Sequence, residues 1–322
     1  MPTTITKSIG TSGRDYSTIQ AWEDACPADL TAVDEIWRGE CYNDSEFLSG
    51  GGALLLLDGI TTDATRYIEL TAASGQSFQD NGSVRSNALT YDQSKGAGLR
   101  NTFNYTPNIE VRVSNFHLSR LQMKTSGNVA QPILNTSGFG HIFKDLILLG
   151  TAGPDLNGTS YNVSMFLTSA NTSLGGLILG GDATGCAVVR TSDRSAAGTG
   201  ITRIAGFYSA IILTSTTVFG FTTPCQAAVF DTTNSSHNAT EQASGLPGVS
   251  NQHSVSYSAT TPFTQAGVTG NDLRAIAATP LAGNGLLDAT NAPNDISGFA
   301  RPAGPTIGAW QLASTNKTFL LH

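Results

Sequence analysis

Apolar and polar positions alternate in short, strand-length runs over most of this chain, and helical spacing is confined to its beginning. In "SGRDYSTIQAWEDACPADL", residues 12–30, Ile19, Trp22 and Cys26 fall on one helical face, with Glu23 and Asp24 opposite. Ser17 or Asp15 is suited to cap the N-terminus, and Pro27 ends the helix. A strand around Glu35 to Trp37, a turn at Gly39 and then Tyr42 are expected next. "ALLLLDGI" and "RYIELTAA" read as two apolar strands separated by "TTDAT". A loose recurrence follows, each unit giving an apolar strand, a polar or Gly turn, and a second strand. The pairs Leu121/Met123, Leu146/Leu148 and Leu177/Leu179 return at intervals of about 25 to 31 residues, within the range of stacked repeats.

One coil of three or four such strands cannot bury its inner face alone. Stacking coils gives every strand parallel neighbours about 4.8 Å away, with Leu, Ile, Val and Phe inside and Ser, Thr, Asn and Arg outside. Gly and Asn suit the corners, where positive φ is needed. Both raw ends of a stack need covers. The opening helix fits the first. The Gly- and Pro-rich stretch 279–311 fits the second, as a lid over the last coil with Asp295 and Arg301 pairing across a Gly298 turn and Ile307 and Trp310 as apolar cover. The division expected is a cap over 1–40, stacked strands over 41–270, a capping region over 271–311 and a tail over 312–322. The tail ends in Phe319-Leu320-Leu321, which either tucks against its own chain or docks on a neighbouring subunit.

Composition agrees with an all-β reading. Of 322 residues only 13% are charged, Gly numbers 35, and 39% hydrophobic content supplies a core. The net charge of −7 disfavours a nucleic-acid binder. Charge is uneven: acidic residues from Asp15 to Glu46 crowd the start, and basic ones from Arg66 to Lys144 dominate the next section. This reads either as a solvated acidic cap beside a mildly basic flank or as head-to-tail contact between subunits. "MPTTITKSIG" lacks the apolar core of a secretory signal, so synthesis in a cytoplasm without ordinary export is expected, and no apolar run is long enough to span a membrane. Cys26, Cys41, Cys186 and Cys225 have no zinc spacing and are expected as buried free thiols, with a Cys26–Cys41 disulfide as an unsupported alternative.

Catalytic motifs are missing. No nucleophile elbow, H-E-x-x-H or phosphate-binding loop occurs. His117, His141, His237, His253 and His322 lack metal-ligand spacing, so no metal or cofactor is expected. Between residues 111 and 270 the acidic side chains are Asp145, Asp155, Asp182, Asp193, Asp231 and Glu241. None forms a DD, DxD or ExD pair, and Asp155, Asp182 and Asp193 sit in turn-like sequence. The best local cluster is His141, Lys144 and Asp145. Strand alternation puts His141 and Asp145 on one face and Lys144 on the other, which argues against a constellation. Sequons such as Asn135-Thr136-Ser137 and Asn171-Thr172-Ser173 read as turn sequence, and Trp22, Trp37 and Trp310 as core rather than sugar platforms.

Both ends carry a resemblance. Asp15, Tyr16, Thr18, Ile19 and Gln20 match the "D-[FY]-x-T-I-Q" helix of the pectin-lyase-like right-handed parallel β-helix superfamily, Gly39 and Tyr42 match its turn loosely, and "YIEL" at 67–70 its later strand. The terminal "DISGFARP…IGAW" is similar to the closing motif of many β-helix repeat proteins. The resemblance implies a single-stranded right-handed parallel β-helix with a short N-terminal capping helix and a loop-rich C-terminal cap. The first hundred residues also resemble β-helix proteins encoded by tailed bacteriophages, usually virion structural proteins. That implies a non-enzymatic virion protein, favoured as an outer-capsid decoration or cement protein because little sequence precedes the motif. It also implies a trimer, with the major capsid protein or tail proteins as partners. The alternative is a tailspike or fibre that binds or depolymerises host-surface glycan.

Overall fold

Side chains at one position of successive strands stack on one another. Phe47, Leu99, Met123, Leu148, Met165, Val188 and Val218 are register partners in turn, each buried and each on a different strand. The structure, a computed structural model, describes residues 1–80, 89–127, 130–168, 176–191, 198–203, 210–226, 229–265 and 272–312. Among these residues the strand pairings are parallel except for the pair Phe263–Gln265 with Asp272–Ala275 and two isolated bridges. The α-helices among the described residues are two short ones, Ile19–Asp24 and Leu30–Val33. An all-β protein of mostly parallel strands is compatible with the expected β-helix.

The largest sheet has 14 strands. Thr3–Ile9, Glu35–Cys41, Ile68–Ala72 and Phe116–Ser119 make one ladder, which meets the Met123 ladder on two long strands, His141–Gly150 and Gly158–Leu167. Smaller sheets close the core from other sides. Leu55, Ile109 and Ile133 point inward from one, and Leu177 and Ile201 from another. The expected recurrence therefore needs correcting: Leu148 stacks on Met165, whereas Leu177 and Leu179 stack on Ile201 and Arg203 in a different sheet.

The opening motif builds the plug. Thr18, not Ser17 or Asp15, caps the first helix, its Oγ1 accepting from the Ala21 N–H at 3.1 Å. The helix stops at Asp24, before Pro27, and Asp29 caps the second helix, which is too short to show periodicity. The strand Thr3–Ile9 that precedes them was not expected. Thr3 donates to Asp34 O, so in this parallel pair odd-numbered residues face the neighbour and even-numbered ones face the open edge. Asp15 and Tyr16 close that edge at Ser8. The Asp15 carboxylate accepts from Ser8 N and Oγ at 2.7 Å, and Tyr16 N donates to Ser8 O. The Gln20 amide substitutes for a missing strand, accepting from Leu56 N at 2.8 Å and donating to Leu56 O at 3.3 Å.

Trp22 is fully buried at the centre of the plug. Gly39 is not a turn; it lies inside strand Glu35–Cys41, where a Cβ would sit 2.6 Å from Trp22 Cε2 and 2.8 Å from Ile9 Cδ1. It is glycine because the indole occupies that space. Trp37 is buried beside it and donates from Nε1 to Trp22 O, and Cys26 and Cys41 are free thiols, as are Cys186 and Cys225.

A corner runs along the stack. Ser119, Lys144, Tyr161, Thr184, Thr214, Ser236 and Val249 are consecutive partners. The next residue in each case, Arg120, Asp145, Asn162, Gly185, Ser215, His237 or Ser250, has φ between 49° and 64°. Gly and Asn were expected at such corners, yet they hold only two of these seven positions. A left-handed residue with a Cβ costs roughly 1 to 2 kcal/mol, so the side chains kept here need a compensating use.

For Asn162 and Ser215 that use is the C-terminal segment, whereas Arg120 bonds Ser77 and Asp80. Ile296, Ile307, Ala309 and Trp310 pack over Ile147, Leu149, Phe166, Val189 and Phe219, the outward side chains of the large sheet. The segment thus covers far more than the end of the sheet, where a lid was expected. Gln79 donates to Ile296 O at 2.7 Å, and Gly308 N donates to Ser215 O at 2.7 Å. Phe319 to Leu321 lie outside the described residues, as do Asp193 and the Asn171 sequon. The acidic start and the basic section meet within the chain: Arg66 pairs with Asp34 and Arg100 with Glu46.

Candidate functional site

The cluster His141, Lys144, Asp145 is taken apart by one backbone angle. His141 and Phe143 point into the core, but Asp145 has φ of 53°, and beyond it the inward positions are Leu146 and Leu148. Strand alternation therefore fails at Asp145, which lies on the outer side with Ile147 and Leu149. His141 accepts from Phe116 N at 3.1 Å through Nδ1, and burial, aided by His117, lowers its pKa to about 4. It is a neutral core residue. Lys144 is half-exposed on the remaining side.

Asp145 belongs to a buried polar network under the C-terminal segment. Asn162 Nδ2 donates to it at 2.9 Å and to Asn294 O at 2.9 Å. Arg301 donates from Nη2 to Asn162 Oδ1, Gly308 O and Ala309 O, and from Nη1 to Thr306 O. Burial pushes the Asp145 carboxyl up to about 6, opposed by the Asn162 amide, the Lys144 charge and Gln79. Asp295 and Arg301 attract each other as expected, but their bonds run elsewhere. Asp295 accepts from Ser297, Phe299 N and Gln311 N, holding the Gly298 turn closed. These are fastenings of one stretch of chain to another.

Three other carboxylates hold chain. Asp231 accepts from Thr233 N and Asn234 N, and Glu241 from Gly220 N and Phe221 N. Asp182 Oδ1 accepts from Ile212 N at 2.8 Å. Asp155 opens the short strand Asp155–Leu156 instead of a turn, and burial raises its carboxyl to about 6. Among the described residues no three His, Cys, Asp or Glu side chains are grouped to hold a metal, and no helix is long and apolar enough to cross a membrane.

Open space lies one position before the corner. A groove of about 380 Å³ runs between the outward face of the large sheet and the segment 286–291. Tyr161, Thr184 and Thr214 line it from three adjacent strands, with Asp182 and Ile212 beside them and Leu286, Asp288 and Asn291 opposite. Ser215 fixes the far wall, accepting from Leu286 N at 2.6 Å and donating to Leu286 O at 3.1 Å. Burial raises the Tyr161 phenol above its ordinary value, and the Asp288 and Asp182 charges add to it. A second, more apolar pocket of about 250 Å³ lies at Cys225, Phe230 and Leu246. Sequence reasoning missed the groove, because aligning Tyr161 with Thr184 and Thr214 requires the spacing between paired strands, and the two spacings are unequal.

The chain matches no protein-family model and has no significant match among curated protein sequences.

Proposed function

We propose that this chain is a single-stranded right-handed parallel β-helix acting as a non-enzymatic structural protein of a tailed-phage virion. Within the particle it serves as an outer-capsid decoration protein, working as a trimer. The observation that carries the reading is the use made of the N-terminal motif. Asp15, Tyr16, Thr18, Gln20 and Trp22 are the residues that resemble phage β-helix proteins or stand among them, and each one closes the stack: edge, cap, substitute strand or stopper. The sharpest catalytic candidate, Asp145, is likewise engaged in fastening chain to chain. A stack closed at its start and strapped along its flank suits a protein that must persist on an exposed particle surface.

Location is the test. Particles carrying an epitope-tagged copy, imaged with gold-labelled antibody, should show label over the capsid shell. Label confined to the tail, or particles without label, would sink the decoration reading. Sedimentation of the purified chain should give a mass three times that of the monomer.

A further inference from the structure

The groove over Tyr161, Thr184 and Thr214 holds two carboxylates that no cation answers. Asp182 stands on the sheet side and Asp288 on the opposite wall. Asp182 gives Oδ1 to Ile212 N, and its Oδ2 has no partner among the described residues. Asp288 accepts from Thr290 N, Asn291 N and the Asn291 amide, all neutral donors, so its turn leaves the charge uncompensated. Burial raises the Tyr161 phenol and the Asp288 and Asp182 charges raise it further, so both carboxylates lie within electrostatic reach of that hydroxyl. None of the described residues lining the groove is Lys or Arg. Lys144 is the register partner of Tyr161 but stands outside the lining, and Arg301 directs its N–H groups to Asn162 and the carbonyls of the strap. Three hydroxyls complete the surface. Tyr161, Thr184 and Thr214 sit on neighbouring parallel strands, about 4.8 Å apart, and point the same way. None of these hydroxyls is hydrogen-bonded among the described residues. Thr214 is only 9% exposed, so its side chain is a buried polar group that faces the groove with no protein partner.

These oxygens select the guest. Carboxylates and hydroxyls gathered in one groove offer lone pairs, and an ammonium group has three N–H donors and no acceptor. An anion would meet two like charges instead. Ile212, Leu286 and Leu287 add apolar wall beside the oxygens, suited to a methylene stem, and Leu286 is 47% exposed. We propose that the groove binds a primary alkylammonium group, with N–H bonds to Asp182 Oδ2, Tyr161 and Thr214 and the stem lying on Ile212 and Leu286. Asp288 supplies the second negative charge from the far wall. Bonds of this kind, with charge on both partners, are roughly twice as strong as neutral ones. The volume is within the usual range for a small ligand. The ammonium belongs to a free diamine or to a lysine side chain, since the same oxygens serve both. The binding is non-covalent and independent of where the protein sits in a particle.

The test is a saturation-transfer NMR titration of the full chain at low ionic strength with three probes. Cadaverine stands for the free diamine and N-acetyl-lysine methylamide for the side chain. N-acetyl-norleucine methylamide has the lysine stem without the ammonium. At least one amine should bind, more weakly as salt is raised, and the norleucine compound should bind roughly tenfold more weakly or not at all. Tighter binding of cadaverine marks a diamine site and tighter binding of the lysine compound a side-chain site, and both support the proposal. Asp182→Asn and Asp288→Asn should each weaken the amine roughly tenfold, and Tyr161→Phe roughly fivefold. The two Asn variants keep acceptors for Ile212 N and for the Thr290 turn, and unchanged circular dichroism would show all three folded. Failure of both amines to bind, equal binding of the norleucine compound, or binding unchanged in the Asp182→Asn/Asp288→Asn pair overturns the proposal.

Discussion

The helix over the first strands and the returning segment 286–311 both cover sheet that would otherwise face water, and they do so with opposite chemistries. The plug centres on Trp22, an indole fitted into the space Gly39 leaves open. The strap has apolar cover of its own, but its position is set by Arg301, Asn162 and Asp145, each buried and each bonded in a specific direction. The end of a stack is a single place, so a large apolar side chain fills it without needing to choose a register. A flank presents the same outward pattern on strand after strand. Apolar contact alone would let a segment slide along it, and directional polar pairs fix one position.

Three experiments sharpen this contrast most. Trp22→Ala should cost about 3 to 5 kcal/mol in urea unfolding, the range for emptying a large core site. Gly39→Ala should cost about 1 to 3 kcal/mol in the wild type and clearly less in a Trp22→Leu background, where only Ile9 Cδ1 still crowds the new methyl. If the two costs simply added, Gly39 would not be glycine on account of the indole. Arg301→Met should cost about 3 kcal/mol, because Asn162 and the carbonyls of Asn294, Thr306, Gly308 and Ala309 lose a donor. Its signature differs from that of Trp22→Ala. Amide exchange should rise across residues 286–311 while the Met123 column stays protected.

Acidity separates the regions less strongly. Burial raises the Glu23 carboxyl to about 7 and the Asp145 carboxyl to about 6, one in the plug and one under the strap. The folded chain therefore holds both protons more tightly than the unfolded chain. Their contribution is fully present near pH 4, is lost as pH rises through those values, and is level above about 7. Glu23→Gln should then stabilise the protein at pH 8 by roughly 1 to 3 kcal/mol and leave it unchanged at pH 4, read as Tm at the two pH values. The smallest effect concerns the corner. Ser250→Gly relieves a left-handed, exposed residue and should add about 0.5 to 1 kcal/mol, whereas Asn162→Gly, at the same φ, should destabilise by removing a fastening.

What could be read from the sequence follows this same division. The plug was legible because its parts lie close together: Ile19 and Trp22 keep helical spacing, and Asp15 to Gln20 form one motif. Gly39 was misread because glycine signals a turn by default, and only the position of Trp22 shows why a strand would need it. The corner was illegible for a different reason. Arg120, Ser215 and Ser250 are poor left-handed residues by propensity, so nothing local marks them. The failure at Asp145 also spoiled the one candidate site, since a single positive φ reverses which faces meet. The groove and the strap depend on contacts such as Gln79 with Ile296, 217 residues apart, and local pattern carries no trace of those.

That distance has a consequence for time. Rungs of a stack form as soon as neighbours are available, each resting on the one before. The Gln79 and Asn162 bonds to residues 294–301 wait until nearly all of the described chain has been made and laid down. Contacts of such long reach form slowly. A nascent chain therefore passes through a stage in which Ile147, Phe166, Val189 and Phe219 are assembled into sheet but bare, and the last act of folding is to clothe them.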